Sequence, residues 1–177
     1  MIDELLLEIE KSSENIPIIG PIKGRVLYIL TLILKPRRIL ELGTAIGYST
    51  LIMAKAVKGR GKILTVERDY RLAQKAKDNF KKVGLNRKIE IIVGEAVEEI
   101  KRIKGRFDLI FLDIEKKDYY DVLEDCIKLL KRGGVLVADN VLWDELKDFR
   151  SIIMNHPKLE SLILEVKDGM SISVKKF

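Results

Sequence analysis

Ile39-Leu40-Glu41-Leu42-Gly43-Thr44-Ala45-Ile46-Gly47-Tyr48-Ser49 decides how this chain is read. An apolar run of strand length meets a glycine turn, and a helical pattern starts directly behind it. Glu41 stands before the turn, where an acid holds a cationic or hydroxyl-bearing ligand and repels a phosphate. The next apolar run, Ile63-Leu64-Thr65-Val66, closes on a second acid, Glu67. In a doubly wound sheet that is where a carboxylate meets ribose hydroxyls. The turn has the form Gly43-x-x-x-Gly47, with Ala45 and Tyr48 where a Gly-x-Gly-x-x-Gly turn carries glycine. A pyrophosphate then has less backbone to rest against, which counts against NAD and FAD. These residues suggest an adenosine that carries positive charge and no phosphate: S-adenosylmethionine.

Outward from this stretch, strand and helix patterns alternate. Strands are expected at Arg38–Leu42, Lys62–Glu67, Ile89–Val93, Phe107–Asp113 and Val135–Asp139, with helices at 48–58, 70–83, 95–102 and 117–131 between or after them. Several of these strands are apolar on successive residues, as when helices cover both faces of a parallel sheet. A helix at 144–155 precedes Leu159–Val166 and Met170–Val174, and Asp168-Gly169 between them signals an antiparallel hairpin. Upstream, helices are expected at 2–12 and 21–34. The sum is an α/β, Rossmann-like, seven-stranded and mostly parallel sheet ending in an antiparallel hairpin, a single domain over 1–177 in which 1–36 covers the site.

The 177 residues suffice for a buried core, and 47% apolar with 34% charged residues describes a globular protein. No apolar run reaches membrane-spanning length, and the acidic start Met1-Ile2-Asp3-Glu4 lacks a signal peptide's basic region, so the cytoplasm is expected. A single cysteine, Cys126, excludes an internal disulfide, and a single histidine, His156, excludes a multi-histidine metal site. Cys126 sits at core spacing within a helix pattern, and His156 before Pro157 marks a boundary. The net charge of +6 is scattered, without a basic run interleaved with aromatics. One glutamine among so many Lys, Arg and Glu fits a heat-adapted surface better than a nucleic-acid footprint. Surplus apolar residues at Leu5-Leu6-Leu7 suggest a homodimer.

Ligands of such sheets bind outside the carboxyl ends of the strands. Glu41, Glu67, Glu95, Asp113 and Asp139-Asn140 all fall there. Asp113, Asp139 and Asn140 would offer three oxygen donors from adjacent strands, a set suited to magnesium with positions left for a vicinal diol. Asp139-Asn140 is equally readable as a helix cap or turn. Lys116, three residues past Asp113, would lie beside that ion, where a like charge disfavours its ammonium and leaves an amine able to accept a proton. Lys117 is its decoy. Tyr48 and Ser49 open a helix, where Ser49 has a hydroxyl for the ligand's carboxylate. Trp143 either covers an acceptor ring or packs in the core.

Taken together, Ile22-Lys23-Gly24, Leu40-Glu41-Leu42-Gly43 with Gly47-Tyr48-Ser49, Glu67, Asp113-Ile114-Glu115-Lys116, Gly133-Gly134, Asp139-Asn140-Val141-Leu142-Trp143 and Asp168-Gly169-Met170 resemble the cation-dependent, S-adenosylmethionine-dependent O-methyltransferases of the catechol and caffeoyl-CoA type. The resemblance implies a class I methyltransferase fold and methyl transfer to a hydroxyl of a small, catechol-like acceptor. It implies Asp113, Asp139 and Asn140 as ligands of magnesium or a similar ion, and Lys116 as general base. Glu67 would hold the ribose, with Gly43, Tyr48 and Ser49 around the methionine part and Ala96 near the adenine. Asp113 would face both ion and cofactor, and Glu41 and Gly47 complete the cofactor set. Two features depart from the family: no loop follows Trp143, and the N-terminal extension is short. Both leave the acceptor pocket more open, or completed by a partner subunit. Two other readings are a methyltransferase of RNA or another macromolecule, against which no Pro-Pro follows the fourth strand, and a cofactor-binding protein without turnover.

Overall fold

β1 (Arg38–Leu42) pairs on both sides within a seven-stranded sheet in the computed structural model, which describes residues 1–12 and 16–176. The parts of the expected span at 13–15 and at 177 lie outside the described residues. The sheet runs β3 (Ile89–Val93), β2 (Lys62–Glu67), β1, β4 (Phe107–Leu112), β5 (Leu130–Asp139), β7 (Met170–Lys175), β6 (Leu159–Leu164). The first five strands are mutually parallel, and β7 is antiparallel to both β5 and β6. This is the α/β sheet with a terminal hairpin that the sequence pattern predicts.

Side chains alternate across the strands and sort into two layers. Ile39, Leu109, Phe111, Val135 and Val137 pack with α1 (Ile2–Ser12), α2 (Gly20–Leu34), α3 (Tyr48–Ala56) and α4 (Tyr70–Lys82). Leu40, Leu42, Ile110, Leu112 and Leu136 pack with α5 (Ala96–Arg102), α6 (Tyr119–Leu129) and α7 (Lys147–Asn155). Covering both faces removes most of the strands' apolar area from water, at roughly 25 cal/mol per Å². Leu5 and Leu6 of α1 are part of this core and only Leu7 stays exposed, so most of the surplus apolar surface expected there is used within the chain. Cys126 is fully buried, and His156 ends α7 with Nε2 3.0 Å from Glu124. Among the described residues no helix is long and apolar enough to cross a membrane.

Element ends differ from expectation where glycine or a tight turn intervenes. The helix expected at 117–131 begins as a 3-10 turn, Lys116–Asp118, and gives way to β5 at Leu130. β5 accommodates Gly133, at φ +72°, beside a register shift opposite Phe107 and Leu109, so it starts five residues before the expected Val135. A 3-10 turn, Asp144–Leu146, likewise opens the helix expected from 144.

The register sets the functional edge. Leu42 lies beside Val66 and Leu112, and Leu112 lies beside Ala138. The next residues therefore fall in one row: Gly43, Glu67, Asp113 and Asp139. The ladder extends into that row through Gly43 N–H to the Val66 carbonyl at 3.0 Å and Asp113 N–H to the Leu42 carbonyl at 2.9 Å.

Candidate active site

At the β1/β4 boundary the chain winds outward in both directions, the switch point where such sheets open a crevice. Gly43 sits there at φ +97°, and a Cβ on it would lie 1.9 Å from the Asp113 carbonyl oxygen. No other residue fits. A cavity of about 560 Å³ opens over this edge, within the usual range for small-molecule sites. Toward β2 and β3 its wall includes Gly43, Tyr48, Ser49, Glu67 and Ala96; toward β4 and β5 it includes Asp113, Lys116, Asp139 and Asn140. Pro17, Ile18 and Ile19 line it from the segment before α2.

Glu67 is held by backbone alone. One carboxylate oxygen accepts from Ala45 N–H at 2.7 Å and the other from Asp69 N–H at 2.9 Å. Asp69 in turn caps α4, accepting from Arg71 N–H at 2.7 Å and Leu72 N–H at 3.0 Å. The remaining lone pairs of Glu67, which is 8% exposed, are acceptors of fixed aim, the complement of a vicinal diol. That donor–acceptor match and the cavity size fit an adenosine cofactor.

Glu41 does not line the cavity. It shares strand parity with Ile39 and is 0% exposed beneath α3. Its carboxyl accepts from Ser49 Oγ at 2.6 Å, from Thr65 Oγ1 at 2.7 Å and from Thr50 Oγ1. Burial pushes it up to about 7 against those three donors. Glu41 thus reaches the cavity through Ser49 and, by way of Thr65, through Thr44. Because Ser49 gives its proton to Glu41, its oxygen is left to accept, which suits a ligand ammonium rather than the carboxylate expected of it. The Tyr48 hydroxyl donates to Glu10 of α1, and burial holds it well above the ordinary phenol range. Gly47 is also off the wall. At φ +88° it caps α3, and a Cβ there would strike the Phe80 ring at 2.5 Å.

At the other end the side chains hold one another. Lys116 Nζ donates to Asn140 Oδ1 at 2.5 Å, to Asp113 Oδ1 at 3.3 Å and to the Ile114 carbonyl at 3.2 Å. It also stands 5.3 Å from the centre of the Trp143 ring. Trp143 is 44% exposed on the cavity wall, so it is not core packing. Asn140 takes a left-handed backbone, φ +58°, and caps no helix, but its carbonyl accepts from Trp143 N–H at 3.0 Å, so the expected alternative holds as a turn and not as a cap. Burial raises the Asp113 carboxyl, opposed by Lys116, and raises Asp139 too, helped by the Asp113 charge. Asp139, buried, and Asp113, partly exposed, repel each other beside a carboxamide oxygen and form a hard donor set short of positive charge. That fits a divalent cation. Among the described residues no three Asp, Glu, His or Cys side chains converge as a cage; the donor set at hand is two carboxylates and an amide.

Two residues quoted for the resemblance, Lys23 and Asp168, were given no part at the acid cluster by sequence reasoning. Lys23 is 2% exposed and donates to both Asp139 and Asp168. Asp168, read only as a turn residue, lines the cavity and accepts from Asn140 Nδ2. A lysine one turn before the buried Leu27, in a helix whose other charged residue is Arg25, was the available signal for the first. For the second there was none beyond its turn.

An O-methyltransferase family model matches residues 1–176. A catechol O-methyltransferase of Niastella koreensis is 35% identical over 130 residues, covering 71% of this chain and 59% of the relative. A caffeoyl-CoA O-methyltransferase of Stellaria longipes is 32% identical over 150 residues, covering 79% and 62%. The chain thus spans about three-fifths of the length of these curated relatives. A crystal structure of an O-methyltransferase from Bacillus cereus in complex with SAH superposes with a TM-score of 0.89 at 26% identity, covering 99% of this chain and 90% of that one.

Proposed function

The chain belongs to the O-methyltransferase family, and on that premise we propose that it moves a methyl group from S-adenosylmethionine to one hydroxyl of a small vicinal diol of the catechol type, assisted by a divalent cation. The observation that carries this reading is Lys116 Nζ lying between the oxygens of Asn140 and Asp113 in the cavity that Glu67 lines at its other end. Glu67 binds the ribose diol, Ala96 borders the adenine, and Gly43, Tyr48 and Ser49 surround the methionine part, with Glu41 behind Ser49. S-adenosylmethionine supplies a methyl on a sulfonium, open to in-line displacement by oxygen. Asp113, Asp139 and Asn140 would hold magnesium or a similar ion, whose positive charge would stabilise an ionised hydroxyl beside them.

Lys116 takes the proton of that hydroxyl. Charge balance supports the role: Asp113, Asp139 and Asp168 face Lys23 and Lys116, which leaves one negative charge over while both lysines are ammoniums. A divalent ion would turn this into one surplus positive charge, which Lys116 relieves by releasing its proton to solvent; the neutral amine then takes the acceptor's proton, and the cluster is balanced before and after. Holding oxygen and methyl in line contributes on the order of 7–11 kcal/mol, more than a general base alone at about 10²–10⁴ in rate. Positioning by the acids therefore outweighs the lysine. A cytoplasmic homodimer belongs to the same reading, and Ile29 and Ile33 leave an exposed apolar strip on α2.

The test is transfer of labelled methyl from S-adenosylmethionine to catechol, with magnesium and with chelator. A singly methylated diol formed only with the ion is expected. Labelling of RNA in preference to diols overturns the small-molecule reading. Bound cofactor without transfer to any diol favours the cofactor-binding alternative.

A further inference from the structure

Asn140 can serve as an oxygen donor only if its amide faces the right way. The carboxamide carries an acceptor on one side and a donor on the other, and rotation by half a turn would put the NH₂ group where a cation needs oxygen. Here Oδ1 faces Lys116 at 2.5 Å while Nδ2 donates to Asp168. An ionised carboxylate accepts only, so Asp168 fixes the orientation. Asp168 is itself held twice. Its carbonyl accepts from Leu142 N–H at 2.9 Å. Its second carboxylate oxygen accepts from Lys23, whose ammonium also bonds Asp139. The turn that presents Asp168 is equally fixed, because a Cβ on Gly169 would strike Leu142 at 2.4 Å.

Lys23 comes from α2, more than a hundred residues from either acid. Lysine is almost never fully buried without partners, and this one fills the space between two carboxylates that would otherwise face each other. We propose that Lys23 and Asp168 form a positioning clamp: Asp168 turns the Asn140 oxygen toward the cation position, and Lys23 holds Asp168 and Asp139 at the spacing that position needs. This rests on the cation reading above. The clamp also makes the geometry of the acid cluster depend on α2 being docked, because the cation-side acids are tied to the helix whose preceding segment lines the cavity.

The experiment measures Mn²⁺ binding by loss of the free-ion EPR signal in wild type, Asp168→Asn, Lys23→Met, Lys23→Arg and the double variant Lys23→Met/Asp168→Asn. SAH binding and the Asn140 side-chain amide resonances in NMR are followed in parallel. Asp168→Asn is expected to weaken Mn²⁺ binding about 10–100-fold, the usual cost of losing a partner that orients a metal ligand. Lys23→Met should lose a similar factor, and the double variant should be little worse than either, because the two act through one contact. Lys23→Arg, which can still bridge both acids, should restore most of the affinity. SAH affinity should stay near that of wild type throughout, and the Asn140 amide resonances should shift in Asp168→Asn and Lys23→Met.

Wild-type Mn²⁺ affinity in Asp168→Asn, with SAH still bound, overturns the clamp. Absence of Mn²⁺ binding in the wild type overturns the cation reading instead, and the Asn140 resonances then decide the orientation: unchanged in Asp168→Asn, they overturn the clamp as well. Should Lys23→Met fail to fold, Asp168→Asn decides alone, since Asp168 is partly exposed and the change is isosteric.

Discussion

The two ends of the cavity are built on different principles. At the Glu67 end the acid is fixed by main-chain N–H groups of Ala45 and Asp69, residues within or next to the loops that the strands feed. Its aim is a property of the backbone and needs no other side chain. At the Asp139 end the positions depend on a web of side chains from α2, β4, β5 and the last turn: Lys23, Asp113, Lys116, Asn140 and Asp168. Backbone-held groups are preorganised and indifferent to charge. A web of two ammoniums and three carboxylates rearranges whenever a charge enters or leaves it. The first design suits a cofactor of constant shape, and the second suits an ion and a titrating acceptor.

That contrast breaks most visibly at Asp139. Asp139→Ala should lower cation-dependent methyl transfer by about a thousandfold or more, the equivalent of several kcal/mol of lost stabilisation, while SAH affinity measured by calorimetry stays within a fewfold. Comparable losses in both would show that the two ends are one unit. Next in size is Lys116→Met, expected to cost about 10²–10⁴ in kcat through loss of the proton acceptor, with Mn²⁺ binding retained. A kcat unchanged in that variant removes Lys116 from the chemistry. Glu67→Gln probes the opposite end: about 1.5–3 kcal/mol of charge-assisted hydrogen bonding is lost, so SAH should bind up to about a hundredfold more weakly while Mn²⁺ affinity does not move.

The same contrast explains what could be seen in the sequence. Strand positions, both cover layers and the row Gly43, Glu67, Asp113, Asp139 follow from local apolar runs and the residue types that end them. Lys23 and Asp168 stood in recognisable motifs, but their role at the acid cluster did not follow, because it lies in a contact between residues far apart in the chain. Nothing in a helix start such as Pro21-Ile22-Lys23 says where the ammonium goes. Glu41 was half legible. Its place before the glycine turn suggested a cavity wall, yet strand parity with Ile39 already assigned it to the face beneath α3. Gly47, expected in the cofactor set, stands off the cavity wall, and its bare α-carbon answers the Phe80 ring.

Glu41 supplies the last and smallest test, because it sits on the backbone-held side yet is the group there whose charge is in question. Burial raises its carboxyl from 4.5 to about 7. The folded state therefore binds a proton that the unfolded chain has released, between those two values. Stability from this source is complete below about pH 4.5, falls as the pH rises, and is gone above about pH 7. Across pH 5 to 8 the loss is on the order of 2 kcal/mol. Glu41→Gln cannot ionise, so its stability relative to wild type should climb over that window by the same amount, read from urea unfolding of both proteins at the two pH values. A parallel pH course in wild type and variant would mean that Ser49, Thr50 and Thr65 hold the carboxylate charged across that window. Glu41 would then be as indifferent to proton supply as Glu67, and the backbone-built end would carry a fixed negative charge behind Ser49 for the cofactor's ammonium.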